Sequence, residues 1–144
     1  MATTASQRQV TVAQAMHTMM VIDIHTTLNE LLRKINWNDY SCLAVMDDER
    51  KVFGMITEHD IQYAQKKQLN FQTTRAWEIA SNVFHKVTPD TTLQDAIEMM
   101  IEHRVRHLIV ENNDEIKGII TPLDILSLIK RDEPENNTVP DFSI

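Results

Sequence analysis

Two short motifs in this chain combine residue types that can bind a diol and an anion. Gly54 to Asp60 reads GMITEHD, and Gly118 to Asp124 reads GIITPLD. A threonine at a strand end, followed three residues later by an acid, predicts a capping box at a helix start. A helix N-terminus also offers free N–H groups and a partial positive charge to an anion. An ionised aspartate can accept hydrogen bonds from both hydroxyls of a ribose.

The motif therefore has a structural interpretation, a helix cap, and a functional one, a corner that holds ribose and phosphate. Gly54 and Gly118 are the only glycines in the chain. Both fall inside predicted strands, where glycine often marks close approach by a ligand or by another backbone. Because capping needs no glycine there, the glycines favour the functional interpretation. The candidate binding pairs are Thr57 with Asp60 and Thr121 with Asp124.

The motif is part of an internal repeat. Its two copies are 64 residues apart (118 − 54), and TTLNELLRKI from Thr26 matches TTLQDAIEMM from Thr91 at an offset of 65 (91 − 26). The one-residue change falls in polar turns, where an insertion is tolerated. A unit of about 60 residues buries too little surface to be comfortably stable alone, so the two copies are predicted to pack against each other with approximate two-fold symmetry.

Each copy predicts the same order of elements. Apolar residues at i, i+3, i+4 and i+7 predict one helix per copy, followed by two short strands and a closing helix. These residues are Leu28, Leu31, Leu32 and Ile35 in the first copy and Leu93, Ala96, Ile97 and Met100 in the second. A short helix and an extended segment, around 20–22 and 83–87, precede each stripe. The predicted fold class is α/β (α+β), made of two β-α-β-β-α repeats.

The predicted organisation has five parts. They are a flexible N-terminus (1–10), the first repeat (11–67), a polar linker (68–75), the second repeat (76–131) and a flexible tail (132–144).

Composition argues against several classes of function. The net charge of −7 argues against nonspecific binding to nucleic acid. The six histidines are dispersed without the ligand spacing of a zinc site, so no metal is expected. The N-terminus lacks a signal-like apolar region, and the apolar runs are far shorter than the roughly 18 residues of a membrane helix. With a single cysteine, Cys42, these features predict a cytoplasmic protein without an internal disulfide. No nucleophile–base set, P-loop or GxGxxG is present, so no catalysis is expected.

The two motifs, together with VTPDTTLQDAIEMMIEHRVRHLIV, resemble a tandem pair of cystathionine-beta-synthase (CBS) domains over about Val12 to Arg131. The resemblance implies two repeats packed sheet to sheet into one module with pseudo-two-fold symmetry and two clefts. It also implies that the module forms homodimers. Such modules commonly bind adenine nucleotides, namely AMP, ADP, ATP, NAD or S-adenosylmethionine, and AMP is the first expectation here.

The resemblance also assigns site residues by position. The two Thr/Asp pairs would hold ribose and phosphate oxygens. The extended segments near Met20–Val21 and Phe84–His85 would present backbone to the adenine, and Arg106 and His107 would face the phosphates.

The two copies differ at the phosphate-facing position. The second copy has Arg106 and His107, whereas the first has Ser41 and Cys42 and no charge, so one cleft is expected to bind better than the other. The usual proline of the family is missing from both copies. A solvated charge for Arg106 and a structural role for His107 remain open alternatives. Cys42 lies in an apolar run and is predicted to be inert core.

The expected function is a free-standing regulatory module for signal transduction. It would bind an adenosine-containing nucleotide in the clefts between its repeats and change its shape or its surface for a regulated partner protein. The alternative is a constitutive interaction or dimerisation module whose clefts bind nothing and whose Thr/Asp pairs serve only as caps.

Overall fold

The structure, a computed structural model, describes residues 9–132. The chain divides into two compact units. The first unit comprises 18–85 with 113–116, and the second comprises the described residues up to His17, then 86–112 and those from 117 onward. The predicted flexible ends, 1–10 and 132–144, lie outside the described residues except for 9, 10 and 132.

The first unit contains a three-stranded sheet covered by helices. Its elements are β1 (Met20–Asp23), α1 (Leu28–Lys34), β2 (Cys42–Met46), β3 (Val52–Thr57), α2 (Glu58–Lys66) and α3 (Ala76–Ile79). The sheet order is β1-β2-β3, with β1 parallel and β3 antiparallel to β2. The core of this unit includes Leu28 and Leu31 of α1, Leu43 and Val45 of β2, and Ile56 of β3.

The second unit repeats this arrangement. Its elements are one 3₁₀ turn (Val12–Gln14), β4 (Lys86–Val87), α4 (Leu93–His103), β5 (Leu108–Asn112), β6 (Glu115–Ile120) and α5 (Pro122–Asp132). The first two residues of β6 are counted with the first unit. The sheet order is β4-β5-β6, with β4 parallel to β5. β4 is shorter than the extended segment predicted over 83–87. The mixed fold of two similar β-α-β-β-α copies confirms the predicted class.

Each unit includes a short segment that precedes the other unit's strands in the sequence. Residues Val12–His17 come before β1 but belong to the second unit, where Val12 N donates to Thr91 O at 2.7 Å. The helix α3 comes before β4 but belongs to the first unit, where Ala76 N donates to Thr26 O at 2.8 Å. The compact units therefore do not coincide with the sequence repeats.

The polar segment 68–75, predicted as a linker, is hydrogen-bonded to the start of α1. Leu28 N donates to Thr74 O, and Asn29 N donates to Phe71 O, each at 3.0 Å. The Phe71 side chain also packs against the core of the first unit. These contacts satisfy N–H groups of the first turn of α1, which have no partner within the helix.

Cys42 lies in the core, as predicted. Its side chain is buried in β2, and burial raises the pKa of the thiol to about 12. The thiolate is the reactive form of cysteine, so Cys42 is a packing residue and not a nucleophile. None of the helices formed by residues 9–132 has the length and apolar character needed to cross a bilayer.

Candidate ligand-binding site

The first predicted corner is a capping box at the start of α2. Thr57 N donates to Asp60 Oδ2 at 2.8 Å, and Thr57 Oγ1 donates to the same oxygen at 3.1 Å. In return, Asp60 N donates to Thr57 Oγ1 at 3.3 Å. Among the described residues, no donor reaches Asp60 Oδ1. The cap therefore fixes the carboxylate by one oxygen and leaves the other open to a ligand.

The second corner has the same local geometry at the start of α5. Thr121 N and Thr121 Oγ1 donate to Asp124 Oδ2 at 2.8 and 3.0 Å, and Asp124 N donates to Thr121 Oγ1 at 3.4 Å. Pro122 is the first residue of the helix. The N–H that proline lacks would have no partner within the helix at this position, so the helix loses no hydrogen bond. The structure thus brings together the threonine and the aspartate of each motif as the sequence predicts.

The two glycines are explained by the approach of another backbone. Ser81 forms an antiparallel bridge with Met55, beside Gly54, and His17 forms the matching bridge with Ile119, beside Gly118. A Cβ on Gly118 would lie 2.5 Å from the carbonyl oxygen of His17, and a Cβ on Gly54 would meet the carbonyl oxygen of Ser81. The glycines therefore have a structural cause, and they no longer favour ligand binding over capping.

His17, which sequence reasoning did not single out, contacts the second corner directly. Its Nδ1 lies 2.8 Å from Oδ1 and 2.9 Å from Oδ2 of Asp124. An ionised carboxylate only accepts hydrogen bonds, so Nδ1 carries the proton and donates. The repeat offset of 65 just upstream of the motif would set His17 against Asn82 (82 − 17), and it is the matching backbone bridges that set it against Ser81 (119 − 55 and 81 − 17 are both 64).

The residues predicted to face phosphates lie just before β5. Arg106 is exposed and His107 is half-buried. Burial lowers the pKa of His107, and electrostatic interactions with Arg106 and His17 lower it further. At the matching positions the first unit has only Ser41 and Cys42, which are uncharged.

Acidification is expected to destabilise the protein through His107. Because its pKa in the folded state is below the ordinary value of about 6.5, the unfolded state binds more protons in the interval between the two values. The stability contribution is present above about pH 6.5 and is lost as the pH falls towards the folded-state pKa. Guanidinium unfolding between pH 7.5 and 5.0 should show a shallower loss for His107→Gln than for the wild type. Equal slopes would contradict this assignment.

The residues predicted to face the adenine lie in the first unit. Met20 and Val21 are the first residues of β1, where Val21 is exposed and Met20 packs partly buried against the core. Phe84 and His85 are half-buried and immediately precede β4. Their contact with an adenine stays a prediction, as does that of Arg106 with a phosphate.

A groove of about 690 Å³ opens beside the second corner. Its lining residues come from the N-terminal segment and from α5: Gln14, Ala15, Met16, His17, Asp124, Ser127, Lys130 and Arg131. The volume falls within the range of small-molecule sites, roughly 300–1,000 Å³. The groove combines a carboxylate, Asp124, with two basic side chains, Lys130 and Arg131. Within 9–132, no group of three or more His, Cys, Asp or Glu side chains is arranged to hold a metal ion.

The family model of the CBS domain matches residues 11–67 and 76–131. The chain therefore belongs to the CBS-domain family and carries two CBS domains, which confirms the resemblance read from the motifs.

Individual relatives agree with this assignment. Hypoxic response protein 1 of Mycobacterium tuberculosis is 28% identical over 102 residues, which cover 70% of this chain and 71% of that protein. A crystal structure of a hypoxic response protein I with two coordinated zinc ions has a TM-score of 0.67 at 24% identity, over 83% of this chain and 98% of that one. The crystal structure of CBSX2 in complex with AMP has a TM-score of 0.68 at 20% identity, over 85% and 97%. At these identities, the solved structures establish a shared fold alone.

Proposed function

We propose that this CBS-domain pair is a non-catalytic regulatory module of the cytoplasm that binds an adenosine-containing nucleotide. AMP is the first candidate, ahead of ADP, ATP, NAD and S-adenosylmethionine. The observation that carries the proposal is the pair of aspartates, Asp60 and Asp124, each fixed by its capping threonine at a helix N-terminus. The AMP bound to the similarly folded CBSX2 supports the choice of ligand.

The chemistry of the corners suits a ribose phosphate. A carboxylate accepts from both hydroxyls of a ribose, and bonds of this charge-assisted kind are stronger than neutral ones. The N-termini of α2 and α5 favour a negative charge nearby. In the second unit, Lys130 and Arg131 line the groove that also contains Asp124, so this unit has cations for the phosphate.

Regulation would follow from a difference in affinity between two states of the module. A bound nucleotide shifts a conformational equilibrium only by as much as it binds one state better than the other. The output in this proposal is a change of shape, or of the surface presented to a regulated protein.

The competing function is a constitutive interaction module. It is favoured by the capping boxes and by the backbone bridges at Gly54 and Gly118, which explain the motif without any ligand. In this case the Thr/Asp pairs would stabilise the helix starts, by about 1 kcal/mol each, and do nothing more.

A thermal-shift panel separates the two functions. AMP, ADP, ATP, NAD and S-adenosylmethionine are each added at a large excess, with GMP as the control for the base. A ligand at about 100 times its Kd stabilises the native state by about 2.7 kcal/mol, which corresponds to a rise of several degrees in Tm. A rise with at least one adenosine compound and none with GMP is expected. No rise with any of the five would rule out the nucleotide sensor and leave the constitutive module.

We also propose that the module forms a homodimer through α4. Two isoleucines one turn apart on this helix, Ile97 and Ile101, are 38% and 70% exposed. Full burial of one such side chain is worth about 1.5–3 kcal/mol, so Ile101→Glu is expected to weaken dimerisation at least roughly tenfold. Analytical ultracentrifugation measures this effect. Val83→Glu is the control, because Val83 is 75% exposed and lies outside the helices. A dimer unaffected by Ile101→Glu would place the interface elsewhere.

A further inference from the structure

The carboxylate of the second corner is already occupied by protein donors. Asp124 Oδ2 accepts from Thr121 N and Thr121 Oγ1, and His17 Nδ1 lies within hydrogen-bonding distance of both carboxylate oxygens. The Asp124 side chain is only 17% exposed. A carboxylate has about four acceptor positions, and three donors are in place here. A ribose diol, which brings two more, cannot be accommodated while His17 stays where it is.

The first corner lacks this competitor. Ser81 takes the position of His17 in the repeat, because it bridges Met55 as His17 bridges Ile119 (119 − 55 and 81 − 17 are both 64). The Ser81 hydroxyl hydrogen-bonds to the backbone of Val83, two residues further on. The donors to Asp60 in the described part of the chain, Thr57 N and Thr57 Oγ1, both reach Oδ2, and the Ser81 hydroxyl does not compete for Oδ1. The two corners share the same cap but differ in whether their diol-binding oxygens are free.

We propose that His17 is a selectivity residue that competes with the ribose hydroxyls for Asp124. A diol ligand then binds first at Asp60, and it reaches Asp124 only after the imidazole of His17 has turned away. This inference rests on the proposed function and adds an order of occupancy to it. Arg106 and His107 led to the expectation that the second corner binds a nucleotide more tightly than the first. For ligands without a phosphate, the proposal gives the opposite order of affinity.

Adenosine is the probe that isolates this competition. The second unit carries several side chains that can attract a phosphate: His17, Arg106, His107, Lys130 and Arg131. The affinity for AMP would therefore reflect both the attraction of these side chains for the phosphate and the competition between His17 and the ribose for Asp124. Adenosine has no phosphate, and 2′-deoxyadenosine lacks one of the two hydroxyls, so the ratio of their affinities reports the diol contact alone.

The test is made with the first corner silenced by Asp60→Asn. In this background, calorimetry compares His17 with His17→Ser, which copies the residue of the matching corner, and with His17→Ala as a second variant. Removing a charge-assisted hydrogen bond that the ligand must break is expected to tighten adenosine binding roughly tenfold or more. The affinity for 2′-deoxyadenosine should change much less. An equal gain for both nucleosides, no gain, or weaker binding would overturn the proposal, since weaker binding would make His17 a ligand contact.

The reciprocal exchange gives an independent result if the His17 variants do not fold. In an Asp124→Asn background, Ser81→His should weaken adenosine binding at the first corner roughly tenfold, because the new imidazole would compete for Asp60. Unchanged binding would overturn the proposal. If the unmodified protein binds neither adenosine nor AMP, the proposed function itself fails. If the unmodified protein binds them but neither His17→Ser nor Ser81→His changes the affinity for adenosine, only the proposed role of His17 is rejected.

Discussion

Replacing Gly54 with alanine is expected to lower the free energy of unfolding by about 3 kcal/mol. The added Cβ would meet the carbonyl oxygen of Ser81, and it would also lie 3.1 Å from the carbonyl carbon of that residue. These are backbone atoms held by the two hydrogen bonds of the Met55–Ser81 bridge, at 3.0 and 2.8 Å, so they cannot move aside without breaking them. Gly118→Ala should behave similarly, since its Cβ would press on His17.

Chemical denaturation measures this effect, with Asn82→Ala as the control. Asn82 follows Ser81 directly and is exposed, so its truncation should change the free energy of unfolding by less than about 0.5 kcal/mol. If Gly54→Ala lowers the free energy of unfolding by less than about 1 kcal/mol, the Met55–Ser81 bridge can shift at little cost. The presence of glycine at both motifs would then need another cause.

Replacing Asp60 is expected to separate capping from ligand binding. Asp60→Ala removes the acceptor for Thr57 N, which should cost about 1 kcal/mol of stability, and it also removes Oδ1, the open oxygen that would accept from the hydroxyls of a ribose. Hydrogen bonds to a charged group are worth about 1.5–3 kcal/mol each, so affinity at the first corner should fall roughly 100-fold or more. Asp60→Asn keeps one carbonyl oxygen, which can accept from Thr57 N. Its second polar atom is an amide nitrogen, which donates and cannot accept from a ribose hydroxyl. It should retain most of the stability and still lose at least about tenfold in affinity.

Denaturation and calorimetry on the same two variants decide between the interpretations. Full affinity in Asp60→Asn would show that the carboxylate is not the diol acceptor. A loss of stability without any loss of affinity in Asp60→Ala would leave the residue as a helix cap only.

Local patterns predicted the parts of this fold that depend on nearby residues. The apolar stripe that begins at Leu28 forms α1, with Leu28 and Leu31 fully buried, and both Thr/Asp capping boxes form where the motif placed them. Ile97, a member of the second stripe, is partly exposed instead, and it contributes to an apolar surface on α4. Periodicity identifies the apolar face of a helix but not which part of that face another element covers.

Features that depend on distant residues could not be predicted in the same way. Gly54 is required by Ser81, and the Asp124 carboxylate is held by a histidine 107 residues earlier in the chain. Both contacts arise because the first residues of each repeat, which precede its first strand, join the compact unit that holds the strands of the other repeat. No local pattern encodes that exchange. The repeat offset of 65 found upstream of the motif does not set His17 against Ser81, whereas the two matching bridges do.

In the proposed function, the two capped aspartates bind the ribose of an adenosine nucleotide. Calorimetric titration of AMP into the wild-type protein and into the Asp60→Asn, Asp124→Asn double variant measures this contribution. Saturable binding to the wild type is expected, with a loss of at least about 100-fold in the double variant, whose caps and melting temperature are largely retained. Equal binding of AMP by the two proteins, or no binding by the wild type, would contradict it.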